Sequence, residues 1–273
     1  MSQPRLTGRV AVVTGGGSGI GEAIAIRLHE DGARVAIVDI DLDAARLTAT
    51  LAGDGPAIVA DVSDSAAVDA ALADAEGALG PVDIWINNAG IAGAGTAERV
   101  NPRAEQQLAE AATGKVTTAL DGLVRLPDDE WRRMLAVHLD GTFYGMRAAA
   151  RSMVARGSGA IVNIASICGI EGCTGHPHYS AAKAGILGLT RAAAKELIVQ
   201  GIRVNVVAPG YVDTTLVTSS VTETMLGVLA VSTPLGRLGR PAEIAAAVSF
   251  LASDEASFFV GDTVSPNGGL VTV

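Results

Sequence analysis

The chain has 273 residues, of which 49% are hydrophobic and only 3% aromatic, so its core must be built from Ala, Val, Ile and Leu. A formal charge of −9 argues against nucleic acid or an anionic membrane as a partner. No apolar run has the length of a membrane span, and MSQPRLTGRV at the N-terminus lacks the apolar core of a signal peptide. Two cysteines, Cys168 and Cys173, are too few for a disulfide framework, and no Cys/His cluster suggests a metal site. We therefore expect a cytoplasmic protein with reduced cysteines and no metal.

Apolar, β-branched runs alternate with Ala-rich stretches of helical periodicity along the chain. Strands are predicted at 9–15, 33–39, 57–62, 82–90, 159–166, 202–210 and 261–269. Helices are predicted at 19–31, 65–78, 130–155, 178–199 and 241–252. Continuously apolar strands need helices on both faces, as in a buried parallel sheet. The pattern predicts a doubly wound α/β fold, and the absence of a linker or composition break predicts a single domain over residues 1–273.

The first predicted strand runs into TGGGSGIG, residues 14–21, and then directly into a helix. Glycines there allow backbone N–H groups and the helix N-terminus to approach a pyrophosphate closely. The strict G-x-G-x-x-G spacing is absent, so a tight strand-to-helix turn is the alternative.

Asp39 stands at the end of the second predicted strand, 18 residues past Gly21. A carboxylate at this position can accept both ribose hydroxyls of an adenosine and repels a 2′-phosphate. Asp41 and Asp43 add negative charge, and the glycine loop has Ser18 at a place where a cation would have favoured the 2′-phosphate of NADP. The predicted cofactor is therefore NAD. The alternative for Asp39 is a helix N-cap or loop acid.

Five segments occur in order at predicted strand ends or helix starts: TGGGSGIG, NNAG (87–90), NIASICG with Ser166, YSAAK (179–183) and APGYVDT (208–214). Together they resemble the short-chain dehydrogenase/reductase family over nearly the whole chain. The resemblance implies a Rossmann-type sheet of about seven strands, a nicotinamide cofactor and a homotetramer. It also implies that residues 61–62 flank the adenine, that residues 88–90 border the cofactor and that residues 209–214 hold the nicotinamide carboxamide. The predicted cofactor-binding residues are Gly15, Gly17, Ser18, Gly19, Ile20, Gly21, Asp39, Asp61, Val62, Asn88, Ala89, Gly90, Tyr179, Lys183, Pro209, Gly210, Val212 and Thr214.

Tyr179 and Lys183 are four residues apart, which places them on one face of a helix, and the chain has only two other lysines. A free tyrosine has a pKa of about 10, too high for a base at neutral pH. The Lys183 ammonium and a positive nicotinamide both favour the phenolate, so we expect the pKa of Tyr179 to fall. Tyr179 is then predicted to exchange a proton with an alcohol or carbonyl oxygen. By resemblance, Ser166 bonds the same oxygen and Lys183 also holds the nicotinamide ribose; the alternative for Ser166 is a loop hydroxyl that caps backbone groups.

The family's fourth catalytic residue, usually Asn, falls here on His138 in AVHLDGTF. Three interpretations stay open: a replacement that acts through its backbone carbonyl, an altered proton relay, or a helix histidine satisfied by its neighbours. His176 and His178, which precede Tyr179, are interpreted as pocket wall or surface.

Two segments are expected to decide substrate choice. Residues 93–122 form an apparent insertion with a helical patch near 103–112, because 41 positions separate Gly90 from Trp131. It is a lid, a subunit contact or a surface insertion without a role. In residues 216–236, the side chains of Met225, Leu226, Val228 and Leu229 either cover an apolar substrate or pack on the sheet.

Three functions are compatible with these features. The first is an NAD-dependent oxidoreductase that interconverts a secondary alcohol and a ketone, with an apolar, cyclic or steroid-like small molecule as substrate. The second is a 3-oxoacyl-thioester reductase, since TPLGRLGRPAEIA (233–245) is similar to that branch of the family; such a biosynthetic enzyme would usually draw on NADPH, which Asp39 disfavours. The third, of another class, is a catalytically silent NAD-binding regulatory subunit.

Overall fold

Seven parallel strands form one sheet in the computed structural model, which describes residues 4–272. The strands are β1 (Val10–Thr14), β2 (Arg34–Asp39), β3 (Ala57–Val59), β4 (Ile84–Asn87), β5 (Gly159–Ile164), β6 (Ile202–Val207) and β7 (Thr263–Val264). They lie in the order β3-β2-β1-β4-β5-β6-β7, so the direction of winding reverses between β1 and β4. In parallel sheets of this kind, ligands bind beyond the carboxyl ends of the strands at that reversal. The predicted Rossmann-type α/β fold is confirmed.

Helices cover both faces of the sheet. They are α1 (Gly19–Glu30), α2 (Leu42–Leu51), α3 (Ser65–Leu79), α4 (Ala94–Ala111), α5 (Asp128–Leu135), α6 (Gly141–Val154), α7 (Pro177–Leu197), α8 (Thr215–Thr218), α9 (Glu223–Ser232) and α10 (Pro241–Ala252). Alternate residues of β1 face opposite layers: Val13 packs with α1 and α10, whereas Val12 packs with α3 and α6. Within residues 4–272, no helix is both long and apolar enough to cross a membrane.

The predicted helix over 130–155 is interrupted in the structure. Between α5 and α6, residues Ala136–Asp140 form a π-helical turn, and His138 lies on it. A π-turn carries one extra residue, so the side chains before and after it point in directions that a regular helix would not give, and such turns are frequent at functional sites. Sequence periodicity over so few residues does not distinguish a π-turn from an α-turn.

The two cysteines are joined. Cys168 and Cys173 form a disulfide with Cα atoms 4.8 Å apart, so the prediction that both are reduced is wrong. The pairing is local: a 3₁₀ turn over Ile167–Gly169 bends the chain directly after Ser166, and this brings two residues only five positions apart to face each other. The bridge therefore closes the loop between β5 and α7.

Candidate active site

A cleft of about 300 Å³ lies at the carboxyl ends of the strands. Almost all of the residues predicted to bind cofactor or to act in catalysis line it: Gly15, Ser18, Gly19, Ile20, Asp39, Asp61, Val62, Asn88, Ala89, Gly90, His138, Ser166, Tyr179, Lys183, Pro209, Gly210, Val212 and Thr214. Gly17 and Gly21 are not in the lining. The structure thus brings together residues that are up to 199 positions apart in sequence, from Gly15 to Thr214.

The glycine loop is built for close backbone contacts. Gly15 has φ of +60°, and a Cβ on it would lie 2.6 Å from the Cα of Ala89. A Cβ on Gly21 would collide with the carbonyl oxygen of Gly15, which explains a glycine that does not reach the cleft itself. Asn88 fixes this arrangement, because its side-chain amide donates to the carbonyl oxygens of Thr14 at 3.1 Å and Gly15 at 2.9 Å.

Asp39 faces the cleft from the end of β2. Its carboxylate accepts the N–H of Gly17 at 2.9 Å and the N–H of Asp41 at 3.0 Å, which ties β2 to the glycine loop. The N-cap of α2 is Asp41, whose carboxylate accepts the N–H groups of Asp43 and Ala44. Of the two alternatives for Asp39, the helix N-cap is taken by Asp41, whereas a loop acid is compatible with the two hydrogen bonds that Asp39 accepts.

Arg133 is a cleft residue that the sequence did not reveal. It lines the same cavity as Asp39, and its guanidinium lies 3.5 Å from the carboxylate of Asp61 and 3.3 Å from the hydroxyl of Ser63. The hydrogen bonds from Ser63, together with Arg133, hold the pKa of Asp61 below its usual value despite partial burial. Other unpredicted lining residues are Ile40, Ala60, Ile91, Val137, Ile164, Ala165 and Thr215. Leu216 and Val217, from the segment 216–236 that is expected to decide substrate choice, line the cleft as well. Most of the unpredicted residues adjoin a predicted position, but Arg133 is brought in from α5 by tertiary packing alone.

Ser166, Tyr179 and Lys183 meet at one end of the cleft. Pro177 is the first residue of α7, and Tyr179 and Lys183 follow on one face, with the Lys183 nitrogen 5.6 Å from the centre of the phenol ring. The Lys183 ammonium donates to the carbonyl oxygen of Ile164 at 2.8 Å. Ser166 both lines the cleft and caps the following 3₁₀ turn, accepting the N–H of Cys168 at 3.1 Å. The interpretation of Ser166 as a substrate-binding hydroxyl is thus compatible with its role as a cap of backbone groups.

Burial controls the titration of this group of side chains. It raises the pKa of Tyr179, and the Ser166 hydroxyl acts in the opposite direction without cancelling it. Burial also lowers the pKa of Lys183 to about 7, so the lysine carries only part of its charge near neutral pH. The predicted fall of the Tyr179 pKa depends on a positive nicotinamide as well as on Lys183, so for the cofactor-bound site it stays a prediction; in the chain by itself, desolvation raises this pKa.

His138 is 2% exposed and packs edge-on against Tyr179, with ring centroids 5.3 Å apart. Its Nε2 lies 3.0 Å from both the N–H and the carbonyl oxygen of Ile91, while its Nδ1 finds no partner among residues 4–272. Burial, and secondarily the charge of Lys183, lower the pKa of His138 to about 3. The imidazole is therefore neutral at physiological pH and only half satisfied by its neighbours.

The two histidines before Tyr179 do not line the cleft. His178 is fully buried, with Nε2 3.3 Å from the hydroxyl of Thr96 in α4, and His176 is the N-cap residue of α7 without a side-chain cap. The four apolar residues singled out in 216–236 lie on α9, where none is buried and none reaches the cleft. Leu216 and Val217 of α8 line it instead.

The lining fits a dinucleotide. One end presents the glycine loop and the carboxylate of Asp39, and the other presents a hydroxyl, a phenol and an amine, with backbone exposed between them at Gly15 and Gly90. Within residues 4–272, no group of three or more His, Cys, Asp or Glu side chains is arranged to hold a metal ion.

Comparisons with known proteins agree with this geometry. The family model for short chain dehydrogenases matches residues 9–225. The chain is 41% identical over 268 residues to cis-4-hydroxycyclohexanecarboxylate dehydrogenase of Sinomonas cyclohexanicum, covering 97% of each chain. It is 36% identical to the 3-oxoacyl-[acyl-carrier-protein] reductase FabG of Salmonella typhimurium, covering 97% of this chain and 98% of that one. Its structure matches a short-chain type dehydrogenase/reductase from Mycobacterium marinum with a TM-score of 0.82 and 32% identity, over 99% of this chain and 98% of that one. The chain therefore belongs to the short-chain dehydrogenase/reductase family, oxidoreductases that act on CH–OH groups with a nicotinamide cofactor.

Proposed function

We propose that this protein is an NAD-dependent oxidoreductase that interconverts a secondary alcohol and a ketone, with Tyr179 as the general acid and base. The observation that carries the proposal is the convergence of Ser166, Tyr179 and Lys183 at one end of a cleft whose other end holds Asp39. These are the chemical groups that proton transfer to and from a substrate oxygen requires, next to a site for an adenosine ribose.

A nicotinamide bound in the cleft would supply or accept the hydride. The chain's own residues handle the proton and the orientation of the substrate. Tyr179 donates its phenolic proton to a carbonyl oxygen, and its raised pKa keeps that proton in place at neutral pH. Ser166 bonds the same oxygen and fixes its distance from the phenol. Lys183, held by Ile164, places its amine beside the phenol ring and stabilises the phenolate when it forms.

His138 is proposed to orient Tyr179 by edge-on packing and to present its free Nδ1 to a proton path from the site. Because this imidazole stays neutral, its Nδ1 serves that path as a hydrogen-bond partner and adds no charge beside Tyr179. This role requires a water or substrate group at Nδ1.

Asp39 supports NAD rather than NADP. Its carboxylate would bond the adenosine ribose and repel a 2′-phosphate, and the guanidinium of Arg133, another cleft residue, lies 3.5 Å from the carboxylate of Asp61. NAD(H) should bind at least tenfold more tightly than NADP(H), or ~1.4 kcal/mol. Calorimetry with both dinucleotides tests this. Asp39→Ala should shrink the preference mainly by weakening NAD, whereas Asp74→Ala, which removes the same charge from an exposed position outside the cleft lining, should not. Equal affinity of the native protein for both would contradict the proposal.

An apolar, cyclic secondary alcohol is the proposed substrate class. The side chains of Ile91, Leu216 and Val217 give the cleft an apolar wall. The relative with 41% identity is named for a cyclohexane-ring alcohol, which supports the same class here. Turnover with NAD across a panel of cyclic and linear secondary alcohols tests the proposal.

A 3-oxoacyl-thioester reductase is the second candidate, supported by the similarity to the Salmonella reductase. The same panel with a 3-oxoacyl thioester and both reduced cofactors separates the two. Tight NAD binding without turnover on any compound would instead favour the silent regulatory subunit.

We further propose that the chain forms a single domain and assembles as a homotetramer. Light scattering tests the oligomeric state.

A further inference from the structure

Helix α4 and the segment that follows it, residues 93–122, lie between β4 and α5 and are the part of the chain that the sequence predicts to be an insertion. A segment rich in Ala and polar residues is ordered only if contacts offset the conformational entropy lost. Here the contacts are specific. Glu110 accepts the hydroxyl of Thr118 at 2.6 Å and the N–H groups of Thr117 at 2.6 Å and Thr118 at 2.9 Å. These bonds, the one from the Thr118 hydroxyl first, lower the pKa of Glu110 to about 2. Arg103 binds Asp121 at 3.0 Å. The segment that follows α4 is thus bonded back along this helix.

The start of α4 is fixed to the catalytic end of the molecule. Arg99 donates two hydrogen bonds to the carboxylate of Glu130 in α5, at 2.8 and 2.7 Å. The buried hydroxyl of Thr96 donates to the same carboxylate at 2.9 Å and lies against His178, the residue before Tyr179. Val100 is 3% exposed and packs on Gly175 in the loop before α7. Helix α4 is therefore held by specific contacts to α5, to α7 and to the loop before α7.

The opposite face of α4 contacts the segment that carries the cleft residues Leu216 and Val217. Asn101 and Glu105 are four residues apart and share this face. The Asn101 amide donates to the carbonyl oxygen of Ser220 at 2.8 Å, and the hydroxyl of Thr222 donates to the Glu105 carboxylate at 2.6 Å. Both contacts bridge more than a hundred positions of sequence.

The segment needs such support. Helix α8 has only four residues, none of them buried, and α9 has no buried residue either. A one-turn helix is not stable without tertiary contacts. Its Leu216 and Val217 nevertheless form part of the cleft wall, next to the glycine loop and Thr214.

We propose that residues 93–122 support the segment 215–222. Asn101 and Glu105 are positioning residues that hold residues 220–222 and thereby keep Leu216 and Val217 over the cleft. The support fixes the size of the cleft mouth and so limits the bulk of the alcohol admitted. The part of the inference that concerns substrate rests on the proposed function, whereas the part that concerns the order of residues 215–222 does not.

The test compares four variants. Glu105→Ala and Asn101→Asp each remove one bridging hydrogen bond, the second without a change of shape. Glu105→Gln keeps an oxygen that accepts from Thr222, and Glu98→Ala removes an acidic charge from an exposed position of the same helix. The first readout is amide hydrogen exchange of residues 217–220, whose N–H groups are bonded within the turn, in protein without cofactor.

Exchange of these amides should rise roughly three- to tenfold in Glu105→Ala and in Asn101→Asp, the range for one hydrogen bond, and stay native in Glu105→Gln and Glu98→Ala. The KM for a bulky alcohol should change by a similar factor while kcat stays within about twofold. Unchanged exchange in both disrupting variants, at native melting temperature, overturns the support. A rise in exchange without turnover on any alcohol leaves the support standing and counts against the proposed function alone.

Discussion

Replacing His138 with Asn should remove a loss of stability that the native protein suffers as the pH falls from 8 to 5.5. The imidazole is 2% exposed, and burial, followed by the charge of Lys183, lowers its pKa from 6.5 to about 3. In the unfolded chain the same imidazole takes up a proton near pH 6.5. Between these two values the unfolded state binds one more proton than the folded state, so stability falls as the pH falls.

The size of the effect follows from the two pKa values. At pH 5.5 an unfolded histidine is about 90% protonated, which favours the unfolded state by about 1.4 kcal/mol, and at pH 8 the contribution is near zero. The same figure results for any folded pKa below about 4.5, because the folded imidazole then stays neutral at pH 5.5. A pH of 5.5 also lies above the sequence pI of about 4.9, so the protein keeps a negative charge that opposes precipitation.

Urea unfolding at pH 8 and pH 5.5, at one protein concentration, measures the difference. The fall in unfolding free energy between the two pH values should be about 1.4 kcal/mol smaller in His138→Asn than in the native protein. His29→Asn removes an exposed imidazole from α1 and serves as the matched control. An unchanged pH dependence in His138→Asn would show that this histidine is not held neutral, and a role as a buried neutral relay would fall with it.

Three further outcomes are expected. Tyr179→Phe should lower turnover by about 10²-fold or more. NAD affinity should change little, because Phe keeps the ring in the cleft and loses only the hydroxyl; retention of most activity would move proton transfer to another group. Reduction of the Cys168–Cys173 bridge should lower the unfolding free energy by about 2 kcal/mol, as expected for so short a loop. Reductant should have no such effect on the control variant Cys173→Ser. Identical melting of the native protein with and without reductant would refute this prediction. Replacing residues 93–122 with a short Gly-containing turn should leave NAD affinity nearly unchanged but alter the KM values across an alcohol series or the assembly state. If the KM values and the assembly state both stay the same, residues 93–122 are irrelevant to function.

The fold was predictable because its determinants are local. Continuous apolar runs gave six of the strands nearly in place, and the glycine loop and Asp39 follow the strands that position them. Helix α2 was missed for an instructive reason: the acidic run at Asp41 and Asp43 was interpreted only as charge near a cofactor. In the structure Asp41 is the N-cap, so the same residue that added charge also began a helix.

Features that depend on tertiary packing were not predictable. Arg133 lies 72 positions from its partner Asp61, and no local pattern relates them. The helix of the insertion begins at Ala94 instead of near residue 103, because its first turns are held by Glu130 and His178 and not by helical propensity. Composition indicated only the part of the helix that is rich in Ala, Glu and Gln.

Burial sets the direction of titration for each catalytic side chain, and this has a mechanistic consequence. Lys183, His138 and Tyr179 all shift toward their neutral forms, and desolvation is the largest cause in each case. The three side chains at the catalytic end of the cofactor-free cleft therefore carry little charge near pH 7, and Tyr179 keeps its proton. The Lys183 nitrogen lies 5.6 Å from the centre of the Tyr179 ring and carries only part of its charge near pH 7, so Lys183 alone does not draw the proton from the phenol. Abstraction of an alcohol proton accordingly requires additional positive charge in the cleft, whereas donation to a ketone requires none, because the phenol is already protonated. The site is thus poised as an acid before it binds anything, and its use as a base depends on the charge of what it binds.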